Sequence, residues 1–546
     1  TQPWTTGTGN RRWTLVAMCF GLFMALIDVT IVNVALPTIQ KDLHTSFSDL
    51  QWVVNAYVLS LAVLIVTAGR LGDIFGRRRV FAIGLGIFSL GSLLCGLSDR
   101  ITIGSLSPST VLFTARAIQG IGGAAIFPLS LAIISVTFQG QQRGQAIGIW
   151  GAVGGLATAI GPLIGGLLVQ TVGWQWIFFI NVPIGIAGIA TTLWAVRESR
   201  DERASRSIDF FGLVTVTVSA FCLVLGLIEG NDQGWTSSFI ITLFVISAIA
   251  LIAFILVELR LKHPMVDPRL FKNLSFTGSA IAGFALSAGM FSLFFFLALY
   301  LQNSLHFTAL EAGVRFLPLS ACTFFASPIS GRFTEKIGGK TLITLGLSLL
   351  AIAVLLFARI TPQDTANDWT VLLPGMIVGG IGMGLTLPPL ATVSVSTVGR
   401  ARAGMASGSN VMVRQIGNAF GVAFLGAILT SRYNAYLHDK ITALSAPGFS
   451  AQARAAAIAG LQKAGTIPGS QGLTGNNPLL ARYRRQPSFP ALQHIAHDAF
   501  VNGLLDIFYV AATILAIGAV ASVTLIRKKD LYREEGSPSA QPVAAH

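Results

Sequence analysis

Long apolar stretches alternate along the chain with short polar links, most of them basic. Val80 to Leu97 and Leu342 to Phe357 carry no charge over roughly 18 residues, about the length a helix needs to cross a hydrocarbon core of about 30 Å. The gaps between such runs predict fourteen spanning helices, near 13–36, 50–70, 80–98, 109–138, 144–169, 174–197, 210–230, 237–259, 275–301, 311–332, 341–359, 371–396, 404–430 and 498–527. The fold class expected is an all-α membrane protein. Between the last two helices, segment 431–497 is polar and rich in Ala, Gly and Pro, with a short amphipathic helix near Gln452 to Lys463. It reads as a mobile outer hairpin or cap.

Composition strengthens this picture. Of the 546 residues, 53% are hydrophobic and only 11% charged, where soluble domains run near 25% charged. Cys19, Cys95, Cys222 and Cys322 all fall inside apolar spans, which argues for packing rather than a disulfide framework or a metal site. No small-residue cleavage site follows the first apolar run, so the first helix is expected to be retained as an anchor. The net charge of +14 does not point to nucleic acid, because the basic residues punctuate the helices instead of forming one soluble patch. With the N-terminus inside, 24 of the 37 Lys and Arg fall in inner loops and termini. That bias predicts a multi-pass protein with both termini cytoplasmic.

One internal repeat divides the chain. Gly69-Arg-Leu-Gly-Asp-Ile-Phe-Gly-Arg-Arg78 and Gly331-Arg-Phe-Thr-Glu-Lys-Ile-Gly-Gly-Lys340 share Gly, Arg, an acid at the fifth position and Gly at the eighth, 262 residues apart (331 minus 69). A duplicated six-helix unit gives this pattern. The organisation expected is a cytoplasmic N-terminus (1–12), one six-helix half (13–197), an inserted helix pair with its flanking loops (198–274), a second half (275–527) that includes loop 431–497, and a cytoplasmic tail (528–546).

The first of these loops, with Gly69, Gly72, Asp73, Gly76 and Arg77 followed by Arg78 and Arg79, resembles the signature loop of the major facilitator superfamily, although Ile74 replaces the family's usual basic residue. Further matches are Leu26-Ile-Asp28-Val-Thr-Ile-Val-Asn33-Val-Ala-Leu-Pro37, Arg116-Ala-Ile-Gln119-Gly120, and Gly161-Pro162-Leu-Ile-Gly165-Gly166, the last similar to the antiporter motif of drug exporters. With Trp174-x-Trp176 through Asn181-Val-Pro183 and the helix count, the chain resembles the fourteen-helix drug:proton antiporter family. The resemblance implies a 6 + 2 + 6 arrangement, a bacterial plasma (inner) membrane, and protons and a lipophilic small molecule as ligands; whether a periplasmic adaptor protein docks on loop 431–497 is left open by the sequence.

Few ionisable residues reach bilayer depth, and each is a functional candidate by default. Asp28 lies eight residues before Leu36, so it sits roughly 12 Å below the outer surface, and Arg116, seven residues after Ser109, lies at roughly 11 Å. Opposite charges at matched depth can pair. Desolvation favours the protonated carboxyl and a neighbouring guanidinium favours the charged one, which gives a physical route to proton coupling. A static Asp28–Arg116 pair, or local bonding of Asp28 to Thr30 and Asn33, remains open.

Asp506 is a second candidate proton or substrate site, or a neutraliser of Arg414. Asn33, Asn55, Gln119, Arg414 and Asn418 are candidate cavity residues. Glu311 and Arg315 are spaced for an i,i+4 pair. Asp73 is expected to accept from Arg77 or from a neighbouring helix N-terminus, as a latch that releases when the halves rock.

Gly339-Lys340-Thr341 resembles the end of a phosphate loop, but Thr334 stands where its first Gly belongs, so ATP drive is not expected. No cofactor, metal site or catalytic centre is expected. The deep charges balance, Asp28 and Asp506 against Arg116 and Arg414, and favour neutral or anionic amphiphiles over dications. The function expected is proton-driven export of lipophilic compounds by alternating access. A dedicated exporter of an endogenous lipid or natural product, an importer, or a non-transporting receptor are the alternatives.

Overall fold

A computed structural model describes residues 10–43, 47–101, 107–200, 210–261, 268–398, 403–444, 451–463 and 489–527. Among them there is no strand. The helices are α1 (Arg11–Leu43), α2 (Phe47–Phe75), α3 (Arg77–Gly96), α4 (Pro108–Thr137), α5 (Gly140–Thr171), α6 (Trp176–Phe179), α7 (Asn181–Ala195), α8 (Phe210–Gln233), α9 (Ser238–Arg260), α10 (Leu274–Leu286), α11 (Ser292–Leu299), α12 (Ala309–Arg315), α13 (Leu317–Ile337), α14 (Gly339–Phe357), α15 (Leu373–Ser396), α16 (Ala403–Ala443), α17 (Ala451–Lys463) and α18 (Phe489–Leu525).

Every predicted span coincides with helix. By length and hydropathy, however, twelve described helices qualify to cross a membrane, or thirteen if the two arms of α2, bent by 48°, count as one span. The fourteen-span count is therefore larger than the count among the described residues. The difference lies at α5, which is helical throughout and packs against α1 and α13, and several of whose side chains fall outside the described residues.

The helices pack into two groups. In the first, α1 lies on α5, and α2 and α3 on α4; in the second, α14 lies on α15 and α18, and α13 on α15. Each group has its own apolar core, one centred on Phe81, Phe88 and Leu129, the other on Leu293, Leu347, Phe357 and Phe508. Two seams join them, α5 against α13 and α2 against α16. The α5–α13 seam is close because both helices present glycine: a Cβ on Gly144 or Gly331 would run into the other residue's carbonyl oxygen. The α8–α9 pair stands to one side, with α8 touching both α2 and α16.

The repeat has a structural counterpart. Gly76 and Gly338, the eighth residues of the two loops, both take positive φ, 113° and 96°, and each joins one helix to the next without an intervening loop. Such φ values are open to glycine and costly for other residues.

Segment 431–497 departs from the loop expected of it. α16 continues to Ala443, because Tyr433, Leu437 and Ile441 extend an apolar face at helical spacing and are buried in the second core. α17 stands where a short helix was expected, with Ala457 and Leu461 buried in that same core, and α18 begins at Phe489. Residues 445–450 and 464–488 lie outside the described set. The expected Glu311–Arg315 side-chain pair is also replaced. Glu311 closes a capping box with Thr308 at the start of α12, while Arg315 donates to the Glu311 carbonyl at 2.9 Å and lies 3.3 Å over the Phe307 ring. The helix N-terminus holds the carboxylate more effectively than a flexible cation does.

Candidate functional site

Asp28 and Arg116 meet inside the first helix group, both fully buried. Arg116 Nη1 donates to Asp28 Oδ2 at 2.5 Å and to Gln119 Oε1 at 2.6 Å, and its Nε donates to the Val53 carbonyl at 3.0 Å. The guanidinium also lies 4.4 Å over the Tyr57 ring. The other carboxylate oxygen, Oδ1, accepts from Gln119 Nε2 at 2.7 Å and from Asn181 Nδ2 at 3.1 Å. Ser92 Oγ accepts from both amides, at 3.2 and 3.0 Å, and donates to the Phe178 carbonyl at 2.9 Å.

Five helices thus converge on one carboxylate: α1 supplies Asp28, α2 Val53 and Tyr57, α3 Ser92, α4 Arg116 and Gln119, and α7 Asn181. A buried ion pair is tolerable only when its remaining lone pairs and protons are satisfied, and here nearly all are. The exception is Asn181 Oδ1, which is buried without a hydrogen-bond partner.

Local sequence explains the convergence. Arg116 and Gln119 are three apart on α4 and so share a face. Gly91 lets α3 approach α4 at that level, since a Cβ there would sit 2.6 Å from the Gln119 backbone nitrogen. Gly161 of α5 packs against Thr30 and the Ile27 carbonyl, and Gly165 against Ile31, which fixes α1 beside α5. Thr30 Oγ1 donates to the Ile27 carbonyl at 3.0 Å, so its hydrogen goes to the backbone and not to Asp28. Gly166 faces Leu310 of α12, across the seam between the groups. The side chains of Asn33 and Pro162 lie outside the described residues.

Gln119, expected at a cavity, belongs instead to this network. Asn181 and Ser92 received no role from the sequence. Asn181 had a signal, an amide opening a helix inside an apolar run, whereas Ser92 had none.

A second buried carboxylate anchors the loop at the α2–α3 junction. Asp73 Oδ1 accepts from Arg77 Nε and Nη2 at 2.8 and 2.7 Å, and Oδ2 accepts from the backbone N–H of Met405 at 3.0 Å. Met405 lies in the first turn of α16, so the carboxylate meets a helix N-terminus of the other group, where orphan N–H donors and the helix dipole favour an anion. Gly69 and Gly72 are buried, and Gly72 packs against Leu129. Beside Gly76, Glu198 accepts from the Arg78 and Arg79 backbone nitrogens at 3.0 and 3.3 Å and so caps α3. At the same end Arg143 Nη2 donates to Ser396 Oγ at 2.9 Å, again between the groups.

The remaining candidates fall elsewhere. Asp506 is about half exposed and pairs with Arg432 at 3.1 Å, which leaves Arg414 without a carboxylate partner. Arg414, Asn418 and Asn55 are partly buried, and the Arg414 guanidinium lies 5.8 Å from the Phe291 ring centre.

Residues 18–422 match the Major Facilitator Superfamily. The chain belongs to that superfamily. Among its relatives within the major facilitator superfamily, the tetracenomycin C resistance and export protein of Streptomyces glaucescens is 33% identical over 99% of this chain and 96% of its own length. The multidrug transporter protein MdtP of Bacillus subtilis is 31% identical over 98% of both chains. Among solved structures, the proton:xylose symporter XylE superposes with a TM-score of 0.60 at 13% identity, over 95% of this chain and 96% of its own, a likeness of fold. The chain is accordingly a multi-pass membrane protein of a transporter superfamily.

Proposed function

We propose that the protein is a proton-coupled exporter of lipophilic drugs or amphiphilic small molecules, working by alternating access. The observation that carries this reading is the Asp28 network: a titratable group held at 0% exposure by three polar side chains from two other helices. The arrangement serves both protonation states. Charged, Asp28 is matched by Arg116 and two amides. Protonated, it needs an acceptor, and the unpartnered Asn181 oxygen becomes one when that amide turns over. Entry of a proton requires the helices to move apart, which links protonation to conformation.

In this reading Asp28 and Arg116 carry coupling, with Asp506 as a candidate second site near the outer surface. Asp73, Arg77 and Arg143 belong to the cytoplasmic gate, and the chain is arranged 6 + 2 + 6 in a bacterial plasma membrane with both termini cytoplasmic. The proton gradient supplies the energy, with no cofactor or ATP. The names of the relatives, a tetracenomycin C resistance and export protein and a multidrug transporter protein, support drug efflux. They equally support the second reading, a dedicated exporter of an endogenous lipid or natural product.

Proteoliposomes separate these possibilities. The wild type is expected to accumulate a lipophilic probe against its gradient when a proton gradient is imposed, and Asp28→Asn to retain only downhill exchange. Uphill export by Asp28→Asn at the wild-type rate refutes the assignment. A substrate range confined to one chemical scaffold favours the second reading.

A further inference from the structure

We infer that Arg414 and the polar stripe around it form the recognition site for the anionic group of the transported molecule, so that the preferred substrate class is a lipophilic organic monoanion. The inference rests on the exporter reading and goes beyond it.

Along α16, Ser407, Asn410, Arg414 and Asn418 are spaced three, four and four residues apart, which places them on one face. Each keeps a buried polar atom with no hydrogen-bond partner: Ser407 Oγ, Asn410 Nδ2, Arg414 Nε and Asn418 Oδ1. Such orphans are rare in buried surroundings and each is costly to leave unmatched. Four in one stripe mark a surface built for something else to complete.

The charge ledger says what that is. Arg116 is matched by Asp28, Arg77 by Asp73 and Arg432 by Asp506, whereas Arg414 has no ion-pair partner among the described residues. Of the four unmatched atoms, the guanidinium N–H, the Asn410 amide and the Ser407 hydroxyl donate, and Asn418 Oδ1, at the end of the stripe, accepts. A guanidinium fork with adjacent neutral donors suits a carboxylate or phenolate.

The surroundings suit an apolar body attached to that anion. Arg414 packs its stem on Gly283 of α10, where a Cβ would come within 3.0 Å of its Cγ, and its head faces Phe291 in a π-helical turn, Ser287–Phe291. Turns of that kind recur at functional sites. Phe284, which packs on Gly417, begins an aromatic run through Phe420 at 5.5 Å and on to Phe424 at 5.2 Å. The run ends in an apolar cavity of about 280 Å³ between α8 and α16, lined by Leu227, Trp235, Phe420, Phe424 and Ala427. One end of the track is a cation and the other is open to apolar groups.

Equilibrium binding to the purified full chain tests this with an aromatic carboxylic acid and its methyl ester, which differ in charge but share a body. The wild type is expected to bind the acid, at a pH where it is ionised, at least about 10-fold more tightly than the ester. In Arg414→Gln the acid should weaken by about 10- to 100-fold and the ester by less than about 2-fold, with Arg414→Lys in between. Equal wild-type affinities for acid and ester, or no binding of the acid, overturn the inference whether or not the variants fold. The same holds if Arg414→Gln folds and weakens both probes alike. Asp28→Asn separates the two readings: it should abolish uphill export while keeping the preference for the acid.

Discussion

At the scale of single residues, the most exacting feature is a charge pair sealed from water. Depth along two helices was enough to place Asp28 opposite Arg116 from sequence, because rise per residue is fixed once the spans are known. What depth could not give was rotation about the helix axes. Rotation brings Gln119 onto the same carboxylate, sets Tyr57 under the guanidinium, and adds Ser92 and Asn181, with no charge at their depth in α3 and α7 to announce them. The same ignorance of rotation explains Asp506, similar in expected depth but turned towards Arg432 and water. Removing one member of a buried pair leaves an uncompensated charge, so Arg116→Ala is expected to lower stability by about 3–5 kcal/mol. The double variant Asp28→Asn with Arg116→Gln should recover much of that loss. Thermal unfolding in detergent measures both, and an Arg116→Ala midpoint equal to that of the wild type contradicts the pairing energetics.

Among the helices, contact distance is set by what is missing from glycine. The α5–α13 seam closes because Gly144 and Gly331 bring backbone against backbone, and Gly148 and Gly155 continue the approach to Ser327 and Thr323. Hydropathy finds such helices but carries no measure of how closely two of them can approach, and α5, one apolar run among fourteen in the sequence, lies between the groups. The repeat was more legible, since glycine at its eighth position is required by the positive φ at Gly76 and Gly338. Loop 431–497 was the opposite case: its polar, Ala-rich composition concealed Tyr433, Leu437 and Ile441, spaced to prolong α16. If the seam depends on backbone contact, Gly331→Val must force α13 away from α5 near the α2–α3 end. A cysteine at Ser396, in a chain cleared of its own cysteines, should then react with a water-soluble maleimide several-fold faster than without the valine. Unchanged labelling would show that the seam closes without the glycine.

Across the whole molecule, polar bonds between described residues join the two helix groups near the α2–α3 junction, and a buried one runs from the Met405 N–H to Asp73. Its carboxylate is shared: Arg77, on its own group, takes one oxygen, and the first turn of α16 takes the other. When the groups separate at this end, the Arg77 bonds stay within one group, while the Met405 bond must break. Under the exporter reading Asp73 is proposed as a latch between the groups. Asp73→Asn keeps the size but replaces one of the two accepting oxygens by an amide donor and removes the charge that the α16 N-terminus favours, the charge alone being a loss of roughly 0.3–2 kcal/mol at this end. A two-state equilibrium responds by about 2- to 30-fold towards opening there. Spin labels on α3 and α16 near the junction would report this as growth of the long-distance population in Asp73→Asn, with the distances themselves unchanged. Under the exporter reading, turnover should then fall while substrate affinity from the opened side holds. A distance distribution identical to that of the wild type would mean that the bond to Met405 stabilises the fold and takes no part in the cycle.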